Sequence, residues 1–177
     1  ETGIIDSHRL MEYFLEGAKA NGVTVVFNAE VISIEKGPQG YKVSIKNNNE
    51  DIALKTRSVI NCAGLDSDEI AQMPGIDIKS SKYELHYCKG QYFRVSPNKS
   101  ALVKRLLYPV PKPYGGGLGI HATLDLGGAL RLGPDDEYLK MRNKDYSVDN
   151  NRLKVFFESA KKFMPFLSEA DLMPDTT

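Results

Sequence analysis

Between Ser58 and Ala71 the chain runs Ser-Val-Ile-Asn-Cys-Ala-Gly-Leu-Asp-Ser-Asp-Glu-Ile-Ala: a short apolar run, an Ala63-Gly64 step, then an acidic helix start. This order constrains the fold more than any other stretch. An apolar strand that ends in a glycine turn and opens a helix brings bare backbone, with no Cβ in the way, toward whatever lies above the turn. Helix amides beyond such a turn favour a phosphate or dinucleotide. The partner usually found with this motif, G-x-G-x-x-G after an opening strand, does not occur in the sequence. The first residue is Glu1 rather than methionine. The chain therefore reads as an internal piece of a larger nucleotide-cofactor enzyme.

At 177 residues, with 41% hydrophobic and 26% charged residues, the chain can bury one core or parts of two. Its 23 basic and 23 acidic residues cancel, which argues against a nucleic-acid binder. The basic pairs in Lys79-Ser-Ser-Lys82 and Lys161-Lys162 read as solvated faces. Cys62 and Cys88 are not CxxC-spaced and form no disulfide framework. Both are expected as small buried hydrophobes in a reducing, cytoplasmic compartment. No apolar run approaches the length of a membrane span.

Along the chain, Asp6 or Ser7 caps a predicted helix to Ala20, with Leu10, Phe14 and Ala18 on one face and Gly22 as its stop. Val23–Phe27 reads as a buried parallel strand. Val31–Glu35, Tyr41–Ile45 and Ile52–Thr56, separated by Gly37-Pro-Gln-Gly40 and Asn47–Asp51, read as an antiparallel meander. Ser58–Cys62 returns to a buried strand. The second half predicts a long strand or strand pair over Tyr83–Val95, broken at Gly90, and an extended Leu106–Pro111. Turns at Gly115–Gly117 and Gly127-Gly128 flank strands at Leu118–Thr123 and Ala129–Gly133, and together these segments read as a mixed or antiparallel sheet. A helix over Asn150–Phe163 is closed by Pro165, and Ser168-Glu-Ala-Asp caps a short one.

Chemistry-bearing residues are few. His8 falls in an exposed helical turn, and His86 reads as a structural residue of the aromatic strand. His121, in Gly119-Ile-His-Ala-Thr123, is the candidate base. An imidazole ordinarily titrates near pH 6.5, so it can accept a proton at neutral pH. A hydrogen-bonded sheet histidine is the other reading. HExxH, H-x-E with CxxC, and G-x-S-x-G are all missing, which argues against metal catalysis and a nucleophile-elbow hydrolase. The Gly115-Gly-Gly-Leu-Gly119 run lacks a following Lys-Ser/Thr and reads as a hairpin. Lys89, Tyr92 and Arg131 could hold an anionic substrate, or be surface groups.

Taken together, the segments Gly3-Ile-Ile-Asp6, Val31-Ile-Ser-Ile34, Asn61-Cys-Ala-Gly64, Lys89-Gly-Gln-Tyr92, Tyr108-Pro-Val-Pro111, Leu118-Gly-Ile-His-Ala-Thr123 and Leu132-Gly-Pro134 resemble the FAD-dependent oxidoreductases of the D-amino-acid-oxidase-like (DAO) superfamily. The resemblance spans nearly the whole chain and is strongest to the L-2-hydroxyglutarate dehydrogenase/oxidase group. It implies an α/β to α+β fold: a partial FAD/NAD(P)-binding domain at 1–75 with an inserted antiparallel meander, and a C-terminally truncated, mixed-sheet substrate domain at 76–177. Val31 then matches a backbone contact to the adenine side of FAD, and Ala63 and Gly64 the turn near its pyrophosphate. Lys89, Gly90, Gln91 and Tyr92 match a strand facing the flavin. His121 and Thr123 match the pocket lining, and Tyr108 and Arg131 join the cationic and phenolic groups expected to hold carboxylates.

The implied reaction takes the C2 hydrogen of a 2-hydroxy acid as hydride to the flavin, with His121 receiving the hydroxyl proton. Oxygen or a quinone would be the acceptor, and a membrane quinone would imply peripheral membrane contact. The N-terminal glycine fingerprint, its ribose-binding acid and the family's closing C-terminal segment are not in the sequence, so the chain alone is expected to hold no FAD and to be inactive. Two rivals remain open. One is oxidation of an amine, an amino acid or glycerol 3-phosphate within the same superfamily, and the other is a non-catalytic binding module.

Overall fold

Alternating side chains and two tight turns between residues 29 and 56 produce the most regular part of the molecule. The computed structural model describes residues 3–48, 50–110 and 119–176. Within it, β1 (Ala29–Gly37), β2 (Gly40–Asn47) and β3 (Glu50–Thr56) form an antiparallel sheet in the order β1-β2-β3. Paired rows Val31–Ile45–Ile52 and Ile34–Val43–Leu54 line one face, and Ile34 and Val43 are its buried centre. Glu35–Lys42–Lys55 lies on the opposite face. A register shift between Val31 and Ser33 re-aims β1 along this sheet.

Two compact units divide the chain: Phe14–Leu85 is one, and Glu1–Tyr13 with His86–Thr177 is the other. Helix α1 (Ser7–Ala20) begins where Asp6 Oδ1 accepts from the amides of His8 and Arg9, each at 3.1 Å. It ends where Gly22, at φ +77°, returns its amide to Lys19 O. None of its residues is fully buried. In the first unit, the Ala63-Gly64 turn leads through a single 3-10 turn into α2 (Ser67–Gln72).

Several expectations for the first unit are corrected. Val23–Phe27 and Ser58–Cys62 are exposed and outside any strand, and neither pairs with a strand among the described residues. An apolar extended run becomes a strand only when a neighbour takes up its amides and carbonyls, and the run does not name that neighbour. Cys62 is exposed because it lies on this unpaired run, and Cys88 is exposed on a two-stranded ladder opposite Tyr138.

Among the described residues the second unit pairs its strands antiparallel throughout, which is the antiparallel alternative and corrects the mixed-sheet domain implied by the resemblance. The long strand expected at Tyr83–Val95 is two short ones, β4 (Cys88–Lys89) and β5 (Phe93–Val95), broken at Gly90 as anticipated. His86 is exposed and lies outside both. A short α3 (Pro97–Ser100) follows, then β6 (Ala122–Leu124), β7 (Leu130–Leu132), β8 (Glu137–Tyr138), α4 (Leu153–Lys161) and β9 (Leu172–Pro174). Strand β4 pairs with β8, and the main sheet runs β6-β7-β5-β9. The turn expected at Gly115–Gly117 falls outside the described residues.

Helix α4 covers one face of that main sheet. Phe156, Phe157 and Ala160, spaced three and four apart, go into the core with Met164 just beyond the helix end. They meet Phe93, Val95, Ala122, Leu130, Leu132 and Leu172 from the strands. The Phe93 and Phe156 rings lie 4.7 Å apart, tilted by 51°. Asp149 caps the approach to α4 by accepting from Asn151 N at 2.9 Å. Ser168 and Asp171 form a reciprocal capping box before β9, as their spacing suggested.

Candidate functional site

With α4 on one face, the other face of the β6-β7-β5-β9 sheet is where polar side chains gather. Residues directly paired in an antiparallel sheet share a face, and successive residues alternate. Phe93, Leu132 and Ala122 form a core row, so the adjacent row Thr123–Arg131–Arg94–Met173 points the opposite way. The exposure agrees: Leu130 and Leu132 are buried and Arg131 between them is not. A second outward row lies beside it. Leu107 and Ala122 exchange backbone hydrogen bonds of 2.9 and 2.7 Å, which sets Tyr108 opposite His121. Their rings stand 5.9 Å apart at 56°. His121 O accepts from Gly133 N at 2.9 Å, and the Tyr92 ring lies against Gly133.

Electrostatics tie these two rows together. Asp175, whose side chain is 7% exposed, accepts from Arg94 Nη2 at 2.7 Å, and its other oxygen lies 2.7 Å from Arg131 Nε. Asp175 N also donates to Tyr92 O at 3.0 Å, and Tyr92 N donates to Thr176 O at 2.7 Å. Burial raises the Tyr92 phenol above its ordinary value, and the nearby Arg131 charge opposes that rise. A phenol raised in this way keeps its proton at neutral pH and so has a hydrogen bond to give. A cavity of about 450 Å³ opens beside this face, lined by Ile4–His8, Thr123–Gly127 and Arg131.

His121, Thr123, Arg131, Tyr92 and Tyr108 thus share one face. Lys89 and Gln91 do not join them. Lys89 Nζ is paired with Asp145 Oδ2 at 3.1 Å. Gln91 is fully buried on the core side, its backbone N–H donating to Asp135 Oδ1 at 2.8 Å and its side-chain Oε1 accepting from Asp149 N at 2.6 Å. The two line a separate cavity of about 350 Å³ with Ser147 and Asp149. For Lys89 the reason is Gly90, since the chain breaks there and β4 enters a different sheet from β5; Gln91 lies two residues before buried Phe93 and shares its core side. Sequence reasoning missed Arg94 and Asp175. Arg94 carries a signal, as it lies two residues beyond Tyr92 and so on the same side of the chain. Asp175 carries none.

The three cofactor candidates lie in the Phe14–Leu85 unit. Val31 is half-buried on β1, at the register shift. Ala63 and Gly64 are exposed, and Gly64 takes φ +58° with no atom within 4 Å of where a Cβ would stand. Asn61, a third residue not anticipated, holds this turn open. Its Oδ1 accepts from Ala63 N at 3.1 Å and its Nδ2 donates to Ser67 O at 2.7 Å. A fixed, open glycine turn of this kind fits a bulky group brought against bare backbone.

The sequence pattern of the family described as FAD dependent oxidoreductase (DAO) matches residues 1–175. The chain belongs to this family. Among curated relatives, this DAO-family chain is 28% identical to the mitochondrial L-2-hydroxyglutarate dehydrogenase of Arabidopsis thaliana, over 98% of the chain and 43% of the relative. It is 32% identical to the Caenorhabditis elegans mitochondrial L-2-hydroxyglutarate dehydrogenase, over 82% of the chain and 33% of that protein. Glycerol 3-phosphate dehydrogenase of Caloramator mitchellensis is 33% identical, over 77% of the chain and 26% of the relative. The DAO-family chain therefore spans less than half the length of these relatives. In fold it is similar to dithionite-reduced L-alpha-glycerophosphate oxidase from Mycoplasma pneumoniae with FAD bound. That likeness has a TM-score of 0.69 and 20% identity, and covers 92% of this chain and 42% of the oxidase. Among the described residues no helix is long and apolar enough to cross a membrane.

Proposed function

We propose that the enzyme containing this chain is an FAD-dependent dehydrogenase or oxidase of a 2-hydroxy acid of the L-2-hydroxyglutarate type. The observation that carries the reading is the outward sheet face, which an imidazole, two phenols and an arginine share, with Thr123 and Arg131 also lining a cavity. Relatives named L-2-hydroxyglutarate dehydrogenase support the substrate class.

In this reading His121 receives the substrate hydroxyl proton on an imidazole nitrogen as the C2 hydrogen leaves with its electron pair. A positioned base of this kind contributes roughly 10²–10⁴ in rate. Arg131 holds a substrate carboxylate, Tyr92 and Thr123 donate to it, and Tyr108 keeps the His121 ring in place. Ala63, Gly64 and Val31 would hold FAD. Bound FAD supplies the two-electron acceptor.

The test is anaerobic bleaching of the flavin-loaded enzyme by L-2-hydroxyglutarate, with the D-isomer, glycine and glycerol 3-phosphate as comparisons. Rapid bleaching by the L-hydroxy acid alone is the expected result. Bleaching by glycerol 3-phosphate alone would instead establish the second reading, which the Caloramator relative favours. Anaerobic reoxidation by a soluble quinone tests whether a quinone is the acceptor.

A further inference from the structure

Asp175 is the least exposed charged group on the outward sheet face, and its two oxygens are divided between two guanidinium groups. A carboxylate at 7% exposure requires partners, because removing a charge from water is costly unless it is met by opposite charge and hydrogen bonds. Arg94 Nη2 satisfies one oxygen and Arg131 Nε approaches the other. The carboxylate is itself fixed by its backbone, through the hydrogen bond from Asp175 N to Tyr92 O. The Arg131 contact is an ion pair at Nε without hydrogen-bond alignment, which anchors the inner part of the guanidinium and leaves its Nη edge for another acceptor. Arg131 is also the only one of these three charged groups that lines the 450 Å³ cavity.

We propose that Asp175 is a positioning residue that aims the Arg131 fork into this cavity, where it selects substrates carrying a second anionic group, a carboxylate or a phosphate. This rests on the reaction proposed above, in that the cavity is taken as the far end of the substrate site. Asp175 also cancels one positive charge beside Arg131. Its two effects on an anion therefore oppose each other, and their signs separate them: orientation tightens binding and neutralisation weakens it.

The experiment compares L-2-hydroxyglutarate with L-2-hydroxypentanoate, which keeps the reacting end and lacks the second carboxylate, as substrates of the flavin-loaded enzyme. In the Asp175→Asn variant the kcat/KM preference for the diacid should fall about tenfold, mostly through KM. Asp175→Glu should recover part of it. Arg131→Lys keeps the charge without the fork and should lose the preference equally. An equal decline for both substrates would mark Asp175 as merely structural and overturn the proposal. A stronger preference for the diacid in Asp175→Asn would show that neutralisation dominates, and would overturn it too.

If the wild-type enzyme oxidises neither acid, the proposed reaction fails. Calorimetric titration with glutarate and, separately, glycerol 3-phosphate then decides the Asp175 claim. Binding of either anion about tenfold weaker in Asp175→Asn supports it and tells carboxylate from phosphate. No binding of either to the wild-type protein overturns it.

Discussion

The Tyr92 ring rests on the bare backbone of Gly133: a Cβ at Gly133 would stand 2.7 Å from Tyr92 Cδ1 and 2.5 Å from Gln91 O. The glycine, at φ +137°, is also the residue whose amide reaches His121 O. One position thus joins the phenol and the imidazole of the proposed site, and it tolerates no side chain.

Gly133→Ala should destabilise the fold by about 2 kcal/mol or more, since both the backbone region and the space reject a methyl group. Denaturant unfolding followed by circular dichroism measures this. An unchanged midpoint would mean that Tyr92 does not pack where described.

His121→Gln should lower kcat by roughly 10²–10⁴ while flavin content and unfolding midpoint stay near those of the wild type. The side chain is only half-buried and contributes little to the core. A loss under tenfold would remove His121 from the role of base.

Asp145 gives a prediction in pH. Hydrogen bonds from the Ser147 hydroxyl and amide, and then from Lys89, hold its carboxyl down from 3.8 to about 2. A lowered folded value means that the contact is fully present above the ordinary value and is lost as pH falls from about 4 to about 2. The protection factor of the Ser147 amide, its exchange rate set against the intrinsic rate at each pH, should fall over that interval and be independent of pH in Asp145→Asn. Unchanged protection down to pH 2 would contradict the contact.

Asn61→Ala should weaken FAD binding by about tenfold, because it removes both hydrogen bonds that hold the Ala63-Gly64 turn. Flavin fluorescence titration of the apoenzyme measures the change. Equal affinity in the two proteins would leave Asn61 a purely local staple.

The meander was legible because each of its strands carries its own evidence. Alternation at Val31–Glu35, Tyr41–Ile45 and Ile52–Thr56 names the faces, and the turns between them name the partners. Helices α1 and α4 were legible for the same reason: period and caps are local. Val23–Phe27 and Ser58–Cys62 were not. Their apolar character is evident, but a strand is a relation between two segments, and no partner pairs with either among the described residues. The misplaced cysteines follow from that one error at Cys62 and from the shortness of the β4–β8 ladder at Cys88.

By itself, then, the sequence determined the repeat of the meander strands and of helices α1 and α4, the Gly64 turn and the motif that singles out His121, because each depends on neighbours within a few residues. Tertiary structure alone decided which of the candidate residues meet. The break at Gly90 sent Lys89 into one sheet and Tyr92 beside another, and strand pairing brought Thr123 opposite Arg131. Asp175, eighty-one positions from Arg94 in sequence, became its ion-pair partner only because β9 lies beside β5. Pairing register acts across the whole length of the chain, and no local pattern encodes it.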